Sequence, residues 1–251
     1  MGLWPVGCGG FGGSLGAFMT AIEVCGVRRV FGTVVAVDRV DLTVEAGTFV
    51  GLIGHNGAGK STLLRMLMGL LAPSEGTVQV GGVDVVADPV AARKLVGAVP
   101  EEPAVYDFLS AREFLEFVAS VRGGGDVGRA LDLAALGHDA NRPVREYSQG
   151  MRRRTALAAA LLTDPAVLVL DEALNGLDPP SAARVKSALR ERVDAGRTVL
   201  LSTHVIETVE KVADRVVLMA HGRVVGDERT ADLGELGLEK LFLERLAASV
   251  R

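Results

Sequence analysis

Alternating apolar and polar residues mark the first part of the chain. From about Thr20 the sequence alternates, most clearly at Val40, Leu42 and Val44, and it alternates again after the Pro-Ser-Glu-Gly stretch at 73–76. A period of two residues is typical of strands with one buried face, and Pro and Gly favour turns between them. The pattern therefore predicts antiparallel strands in this part of the chain.

Short, uniformly apolar runs alternate with helix-like segments further along. The apolar runs lie at 49–53, 166–170 and 198–202. Helix-like segments lie at 62–71, at 151–162 and after 202, where the apolar face extends to Val212 and Ala213. Buried strands that alternate with helices are typical of a parallel sheet covered on both faces. Residues 103–141 have a mainly helical pattern with a break at 123–125. We therefore predict an α/β fold with an N-terminal antiparallel flank and a helical insert.

Composition narrows the class of protein. The chain has 251 residues, of which 49% are hydrophobic, and its formal net charge is −4. This is enough for one sizeable core, and the charge argues against a nucleic-acid partner, which requires clustered Lys and Arg. The basic run Arg152–Arg154 is interpreted as a solvated helix face. No uninterrupted apolar run reaches 18 residues, so we expect no membrane span.

The first residues differ from the rest. Residues 1–18 are rich in Gly and lack the basic start of a signal peptide. We expect them to be a disordered extension of one folded domain over 19–251. Cys8 and Cys25 have neither metal-ligand spacing nor a disulfide framework, which fits a reducing, cytoplasmic location.

A Gly-rich loop is the first segment whose residues predict a chemical function. It connects an apolar run to a helical pattern and matches the phosphate-binding sequence G-x-x-x-x-G-K-[ST]. In such a loop backbone N–H groups hold phosphates, Lys60 reaches the β- and γ-phosphates, and Ser61 holds Mg²⁺. The predicted nucleotide-binding residues here are Gly54, His55, Asn56, Gly57, Ala58, Gly59, Lys60, Ser61 and Thr62.

Two carboxylates directly follow the apolar run at 166–170. Asp171 and Glu172 follow Leu170 directly, so a parallel sheet brings them to the edge where the phosphate loop lies. We predict that Asp171 binds Mg²⁺ and that Glu172 activates the attacking water. The chain is thus expected to have the core of a P-loop nucleoside triphosphatase, with a nucleoside triphosphate and Mg²⁺ as ligands.

A third segment resembles a family signature. The sequence Tyr-Ser-Gln-Gly-Met at 147–151 is similar to the Leu-Ser-Gly-Gly-Gln signature of the nucleotide-binding subunits of ABC transporters. The resemblance covers nearly everything after Thr20 and implies a helical insert at about 103–160. It also implies that Ser148, Gln149 and Gly150 contact a nucleotide held by a second subunit. Because Lys60, Ser148 and Glu172 are all present in one chain, two equivalent sites can form, which favours a homodimer over a heterodimer. Ser148 is equally an N-cap residue.

The same resemblance assigns three further residues. Asp178, in the loop after Glu172, resembles the residue that links the two sites, and His204 resembles the switch histidine at the γ-phosphate. Phe31 resembles the aromatic residue that stacks on adenine. A structural histidine and a core phenylalanine are the alternatives for the last two.

The chain departs from the family pattern in three places. Glu101 stands where Gln is usual, so it presents a carboxylate close to Mg²⁺ and the attacking water, as a metal-binding and catalytic candidate. Gln149 and Met151 replace Gly and Gln in the signature, and Ala-Leu at 173–174 replaces Pro-Thr or Pro-Phe. None of these changes removes a predicted catalytic group, so the resemblance implies an active ATPase.

The implied partner is a separate integral membrane subunit. In the family the loop corresponding to 101–106 grips that partner, and the tail at 238–243 resembles the ending of drug, antibiotic or polysaccharide exporters. These features favour export, with the chain at the inner face of the membrane. A soluble ABC ATPase without a transport role and a weakly hydrolysing regulatory subunit are the alternatives.

Overall fold

The computed structural model describes residues 20–233 and 237–249. The Gly-rich extension predicted at 1–18 lies outside the described residues. Two sheets and eight helices make up the described part, and the predicted α/β fold with an antiparallel flank is confirmed. None of these helices is both long and apolar enough to cross a bilayer within the described residues.

The N-terminal sheet is antiparallel. Its four strands are ordered β2-β1-β4-β5, and Val24 of the first strand faces Leu42 of the second on one side and Val78 on the other. The alternation predicted from the sequence is thus the alternation of buried and exposed side chains. The strands are β1 (Thr20–Phe31), β2 (Val34–Glu45), β4 (Glu75–Val80) and β5 (Val83–Asp84).

The second sheet has six strands, in the order β10-β9-β3-β8-β7-β6. The pairs among β9, β3, β8, β7 and β6 are parallel, and only β10 pairs antiparallel with its neighbour. Parallel strands end at one edge of the sheet, so polar residues that follow them meet there. The strands are β3 (Phe49–Ile53), β6 (Val96–Val99), β7 (Val167–Asp171), β8 (Thr198–Thr203), β9 (Arg215–Ala220) and β10 (Arg223–Arg229).

Two cores cover the faces of this sheet. Val50 and Leu52 of β3 face the core shared with the antiparallel sheet, whereas Phe49 and Ile53 face the other. The first core contains helix α1, and the second contains parts of α5 to α8. The helices are α1 (Lys60–Leu67), α2 (Pro89–Leu95), α3 (Ala111–Arg122), α4 (Val127–Ala134), α5 (Gln149–Leu161), α6 (Pro179–Asp194), α7 (Ile206–Glu210) and α8 (Gly237–Ser249).

A third core belongs to the helical insert. It joins α3, α4 and one face of α5, with Phe114 and Leu115 in α3 among its buried residues. Helix α3 begins with a capping box, in which Ser110 accepts from the backbone N–H of Glu113 and the Glu113 carboxylate accepts from the N–H of Ser110. Strands of the main sheet do not enter this core, which is what the helical spacing over 103–141 predicted.

Several predicted boundaries are wrong. The first helix begins at Lys60 and ends at Leu67, not at 62–71, because Gly69 takes a left-handed φ of 65° just after it. The helix after β8 ends at Glu210, although Val212 and Ala213 pack in the same core. The segment 103–110 is not helical. Strand β6 and helices α2 and α6 were not predicted.

Candidate active site

The Gly-rich loop lies between β3 and α1 and needs its glycines. A Cβ on Gly54 would lie 2.4 Å from the backbone oxygen of Met219, and one on Gly59 would lie 2.5 Å from that of Ala36. Gly59 also has a left-handed φ of 100°. A side chain at either position would push the loop away from β9 or β2. The loop is therefore held against both sheets in one conformation.

Lys60, the first residue of α1, is folded back over this loop. Its side chain is 6% exposed, and Nζ donates to the backbone oxygens of Gly54 at 2.6 Å and His55 at 3.3 Å. Burial lowers the pKa of Lys60, and the carboxylates of Glu172, Asp171 and Glu101 oppose that shift. The first turn of α1 has neither a side-chain cap nor an acidic residue. Such a helix end, next to a buried cation, can hold an anion.

Asp171 and Ser202 are paired across β7 and β8. The parallel register sets them side by side, both are buried, and the Ser202 Oγ donates to Oδ1 of Asp171 at 2.5 Å. The same Oγ accepts from the backbone N–H of Glu172 at 3.0 Å. Ser202 thus connects the two predicted acidic residues. Sequence reasoning missed this role, since position 202 appeared only as the end of the apolar run 198–202.

Glu172 has a strained backbone and three side-chain neighbours. Its φ of 49° is in the left-handed region, which costs a non-Gly residue about 1–3 kcal/mol. Its Oε1 lies 3.1 Å from His204 Nδ1 and 4.0 Å from Lys60 Nζ, and Oε2 accepts from Asn175 Nδ2 at 2.7 Å. These contacts hold the carboxylate in one orientation. The Glu172 side chain is also nearly buried, at 8% exposed.

A cavity of about 360 Å³ joins these parts. Glu101 and Glu172 face the phosphate loop across it, so the structure brings together most of the predicted phosphate-loop residues with both of these acids. The strand segment 34–36, which sequence reasoning did not single out, forms its third wall. The cavity is lined by Val34, Val35, Ala36, Asn56, Gly57, Ala58, Gly59, Lys60, Ser61, Thr62, Glu101 and Glu172.

Phe31 and His55 are among the predicted residues that do not line this cavity. Phe31 ends β1 and is 45% exposed, with the Arg29 guanidinium 4.6 Å from its ring centre. The alternative that Phe31 is a core residue is therefore wrong, whereas its contact with adenine stays a prediction. The ring of His55 lies 5.5 Å from that of His221, and its Nδ1 is 2.7 Å from the backbone oxygen of Asn56.

The signature segment does not reach the phosphate-loop cavity. Ser148 is the N-cap of α5, where its Oγ accepts from the N–H of Met151 at 3.2 Å, so its capping role is confirmed. Ser148 and Gln149 are exposed, and Gly150 is half-buried. Gln149 lines a neighbouring cavity of about 440 Å³, which Glu101 also borders.

Asp178 begins the next helix. Its carboxylate is the N-cap of α6 and accepts from the N–H and the hydroxyl of Ser181 at 2.9 and 2.7 Å. These hydrogen bonds hold the pKa of Asp178 below its usual range of about 3.8. The loop from Glu172 to Asp178 is thus anchored at both ends.

The arginine run at 152–154 is not a solvated face. All three side chains are half-buried, and each makes a defined contact. Arg152 pairs with Asp107 at 2.6 Å, and Arg154 donates to the backbone oxygen of Ala135 at 2.9 Å. Arg153 contacts the loops of the candidate site. The partners are distant in sequence, so no local pattern could have revealed these bonds.

A Gly-rich loop between a buried strand and a helix, with two carboxylates at the end of a neighbouring parallel strand, defines the class of P-loop ATPases. Residues 37–175 match the family model described as ABC transporter. The chain belongs to this family and is one of its ATP-binding ATPase domains.

Relatives support that assignment. The chain is 41% identical to the daunorubicin resistance ATP-binding protein of Streptomyces coeruleorubidus, over 85% of this chain and 69% of that protein. It is 38% identical to a Nod factor export ATP-binding protein of Sinorhizobium fredii, over 83% and 63%, and 33% identical to a bacitracin transport ATP-binding protein of Enterococcus faecalis, over 84% and 70%. The chain thus spans about two thirds of the length of these relatives.

Solved structures share the fold. The structure of an ATP-binding subunit of an ABC transporter matches with a TM-score of 0.84 and 28% identity, over 90% of this chain and 100% of that one. A dimeric bacterial ABC transporter cassette matches with a TM-score of 0.76 and 25% identity, over 83% and 98%. The order of sheets and helices described above is therefore that of an ABC cassette.

Proposed function

We propose that this chain is the ATP-hydrolysing subunit of an ABC exporter and drives a separate membrane subunit by nucleotide-dependent pairing of two ATPase subunits. The observation that carries the proposal is the meeting of Lys60, Glu172 and His204 at one edge of the parallel sheet. One ABC-type ATPase domain over 19–251, with a helical insert at about 103–160, accommodates this site.

In this proposal the phosphate loop binds the ATP phosphates. The N–H groups at the start of α1 and the ammonium of Lys60 neutralise their charge, and the segment 54–59 curls around them. Lys60 would then exchange its bonds to the oxygens of Gly54 and His55 for phosphate oxygens. Phe31 lies at the end of the strand next to the cavity wall and is proposed to contact the base.

The side chains also suit Mg²⁺. The hydroxyl of Ser61 and the carboxylates of Asp171 and Glu101 are hard oxygen ligands, and Mg²⁺ is usually held by few protein groups together with phosphates and water. When bound, Mg²⁺ would neutralise charge on the phosphates. The Ser202 hydroxyl occupies Oδ1 of Asp171 and so orients that carboxylate.

Hydrolysis is assigned to Glu172. Its Oε1 faces the cavity between Lys60 and His204, so it can accept a proton from a water directed at the γ-phosphate. His204, which is half in solvent, is proposed to sense the γ-phosphate and to orient Glu172. Glu101 adds a second carboxylate across the cavity. Because the family usually has Gln at this position, a weakly hydrolysing regulatory subunit is the alternative.

A second subunit completes the site. Ser148 and Gln149 are exposed and Gly150 is half-buried at the start of α5, outside the phosphate-loop cavity, and we propose that their N–H groups face a nucleotide on another copy. Asp178 lies in the loop that would connect the two sites. Since Lys60, Ser148 and Glu172 are all present in one chain, we favour a homodimer over a heterodimer.

The proposal that the chain serves an exporter rests on the names of its relatives. Their names refer to daunorubicin resistance, Nod factor export and bacitracin transport, which favours an exporter at the inner, cytoplasmic face of the membrane. The partner would be an integral membrane subunit rather than a nucleic acid. Exposed aromatic rings at Tyr106 and Phe108, in the loop after β6, provide a surface for it.

A Glu172→Gln variant tests the proposal. We expect turnover, measured as phosphate release, to fall by more than about 100-fold while Mg·ATP binding persists and a dimer accumulates in size-exclusion chromatography with light scattering. Glu207→Gln, an exposed carboxylate of α7, is the matched control and should behave as wild type. A monomer with Mg·ATP, both alone and with the membrane subunit, would overturn the pairing. Unchanged low turnover in Glu172→Gln would favour the regulatory alternative.

A further inference from the structure

Arg153 connects three separate parts of the candidate site. It lies in the second turn of α5, behind the signature segment, and within the described residues its guanidinium donates to three backbone oxygens. Nη1 donates to the oxygen of Glu172 at 3.2 Å and, through a short bond, to that of Asn175, while Nη2 donates to the oxygen of Glu101 at 2.9 Å. One side chain thus ties the signature helix to both loops that carry the cavity's acids.

The backbone of Glu172 is held on both sides of its Cα. Its N–H donates to the Oγ and the backbone oxygen of Ser202 at 3.0 and 3.2 Å, and its carbonyl accepts from Arg153 at 3.2 Å and from the N–H of Asn175 at 3.1 Å. This residue has the left-handed φ of 49°. Such a conformation persists only where the surroundings hold it, and here β8, the turn to Asn175 and Arg153 do so.

Arg153 does not face the phosphate-loop cavity. The cavity lining includes Glu101 and Glu172 but not Arg153, which borders the neighbouring cavity with Gln149 and Asn175. It therefore acts on the acids through their main chain. A guanidinium suits this task because its planar set of donors can reach several carbonyls at fixed angles, which the single ammonium of Lys cannot do.

We propose that Arg153 is a positioning residue for ATP hydrolysis, which sets the place of the Glu172 and Glu101 loops relative to the signature helix. This inference rests on the proposed function, because it assumes that Glu172 activates water. In this proposal, a second subunit that engages Ser148 moves α5. The Arg153 side chain then transmits this movement to Glu172. Ser148 and Arg153 lie on the same helix, at its N-cap and in its second turn.

The neighbouring arginine supplies a matched control. Arg154 lies on the same helix and also donates from Nη1 to a backbone oxygen, but that oxygen belongs to Ala135, at the end of α4. A general loss of stability should follow from either substitution. Only Arg153 should affect the chemical step.

The test uses the full chain with Arg153→Gln, Arg153→Lys and Arg154→Gln. We expect Arg153→Gln to lower kcat about 10- to 100-fold, with the Kd for Mg·ATP changed less than about 3-fold, since a misplaced catalytic group affects the chemical step. Arg153→Lys should fall between wild type and Gln. Arg154→Gln should retain the wild-type kcat at a comparable change in Tm.

Hydrogen exchange gives a readout that does not depend on turnover. In Arg153→Gln the amides of the 172–175 turn should exchange at least about 10-fold faster than in wild type, because local opening becomes easier. In Arg154→Gln they should exchange as in wild type. If Arg153→Gln does not fold, Arg153→Lys carries the same comparison with a smaller expected effect.

The outcomes separate the two proposals. Equal kcat and equal exchange in the Arg153 variants and Arg154→Gln would overturn the positioning role while leaving the proposed function intact. Turnover retained in Glu172→Gln would instead overturn the assignment of Glu172, and the exchange data would still report whether Arg153 holds the 172–175 turn. Lower kcat with faster exchange only in the Arg153 variants supports the inference.

Discussion

The Nδ1 atom of His204 lies 3.1 Å from Oε1 of Glu172, although the two residues are 32 positions apart and follow different strands. The His204 side chain is 53% exposed and that of Glu172 is 8% exposed. A half-exposed imidazole thus contacts a nearly buried carboxylate. The pair connects the surface of the cassette to the acid that we assign to catalysis.

Substitution of His204 should separate catalysis from stability. We expect His204→Ala to lower kcat by about 100-fold, since it removes the polar group that we propose senses the γ-phosphate, with a change of less than about 0.5 kcal/mol in the free energy of unfolding. Phosphate release and urea denaturation measure the two effects. His138→Ala, a 91% exposed histidine elsewhere, is the control. A large loss of stability without loss of kcat would favour the structural alternative for His204.

Loss of the Ser202 hydroxyl should be costly. In Ser202→Ala the buried Asp171 loses a donor and the N–H of Glu172 loses an acceptor, so we expect a destabilisation of about 1–3 kcal/mol. ATP turnover should fall as well, because both acids lose their orientation. Ser120→Ala removes an exposed hydroxyl that donates within α3 and should change unfolding by less than about 0.5 kcal/mol. Equal unfolding midpoints for the two variants would contradict the assigned role.

Phe31 should matter for the nucleotide and little for folding. Because Phe31 is 45% exposed and its ring is proposed to contact the base, Phe31→Ala is expected to reduce Mg·ATP affinity about 2- to 12-fold, the equivalent of an aromatic contact worth about 0.5–1.5 kcal/mol. The unfolding free energy should change by less than about 0.5 kcal/mol. Titration calorimetry with ATP checks the first effect. Phe108→Ala, with a ring that is 81% exposed and distant in sequence, should leave the affinity unchanged.

Asp178 should give the cassette an acid-sensitive contribution to stability. Its pKa in the folded protein is below the ordinary 3.8, so the carboxylate stabilises the folded state above about pH 3.8, and this contribution is lost as the pH falls through the lowered value. Asp178→Asn keeps a capping oxygen but does not titrate. Urea midpoints between pH 7 and pH 3 should therefore fall less steeply for Asp178→Asn than for wild type. Parallel curves would show that the cap does not depend on the charge.

Some of the site could be predicted because it is contiguous. The loop from Gly54 to Ser61 is one segment between a strand and a helix, and its function follows from residue types at fixed spacing. Asp171 and Glu172 could be predicted in the same way, since a parallel sheet takes every strand end to one edge. The capping role of Ser148 was equally local.

Other parts depend on register and on packing between distant segments. Whether Ser202 or a neighbour meets Asp171 is decided by the pairing of β7 with β8, and a shift of one residue would turn the hydroxyl to the opposite face. The arginine run was interpreted as a solvated face because its acceptors, the Asp107 carboxylate for Arg152 and backbone oxygens for Arg153 and Arg154, are distant in sequence. Their proximity to Arg153 is visible only after α5 packs on the sheet.

The sequence by itself determined the fold class, the phosphate loop and the acids at the strand end, because hydrophobic period and local residue spacing encode them. The tertiary structure alone decided the bonds of Ser202, Asn175 and Arg153, the exposure of Phe31 and the cavity wall at 34–36. Those features depend on which backbone atoms from distant segments come within hydrogen-bond distance, and a linear pattern holds no record of that.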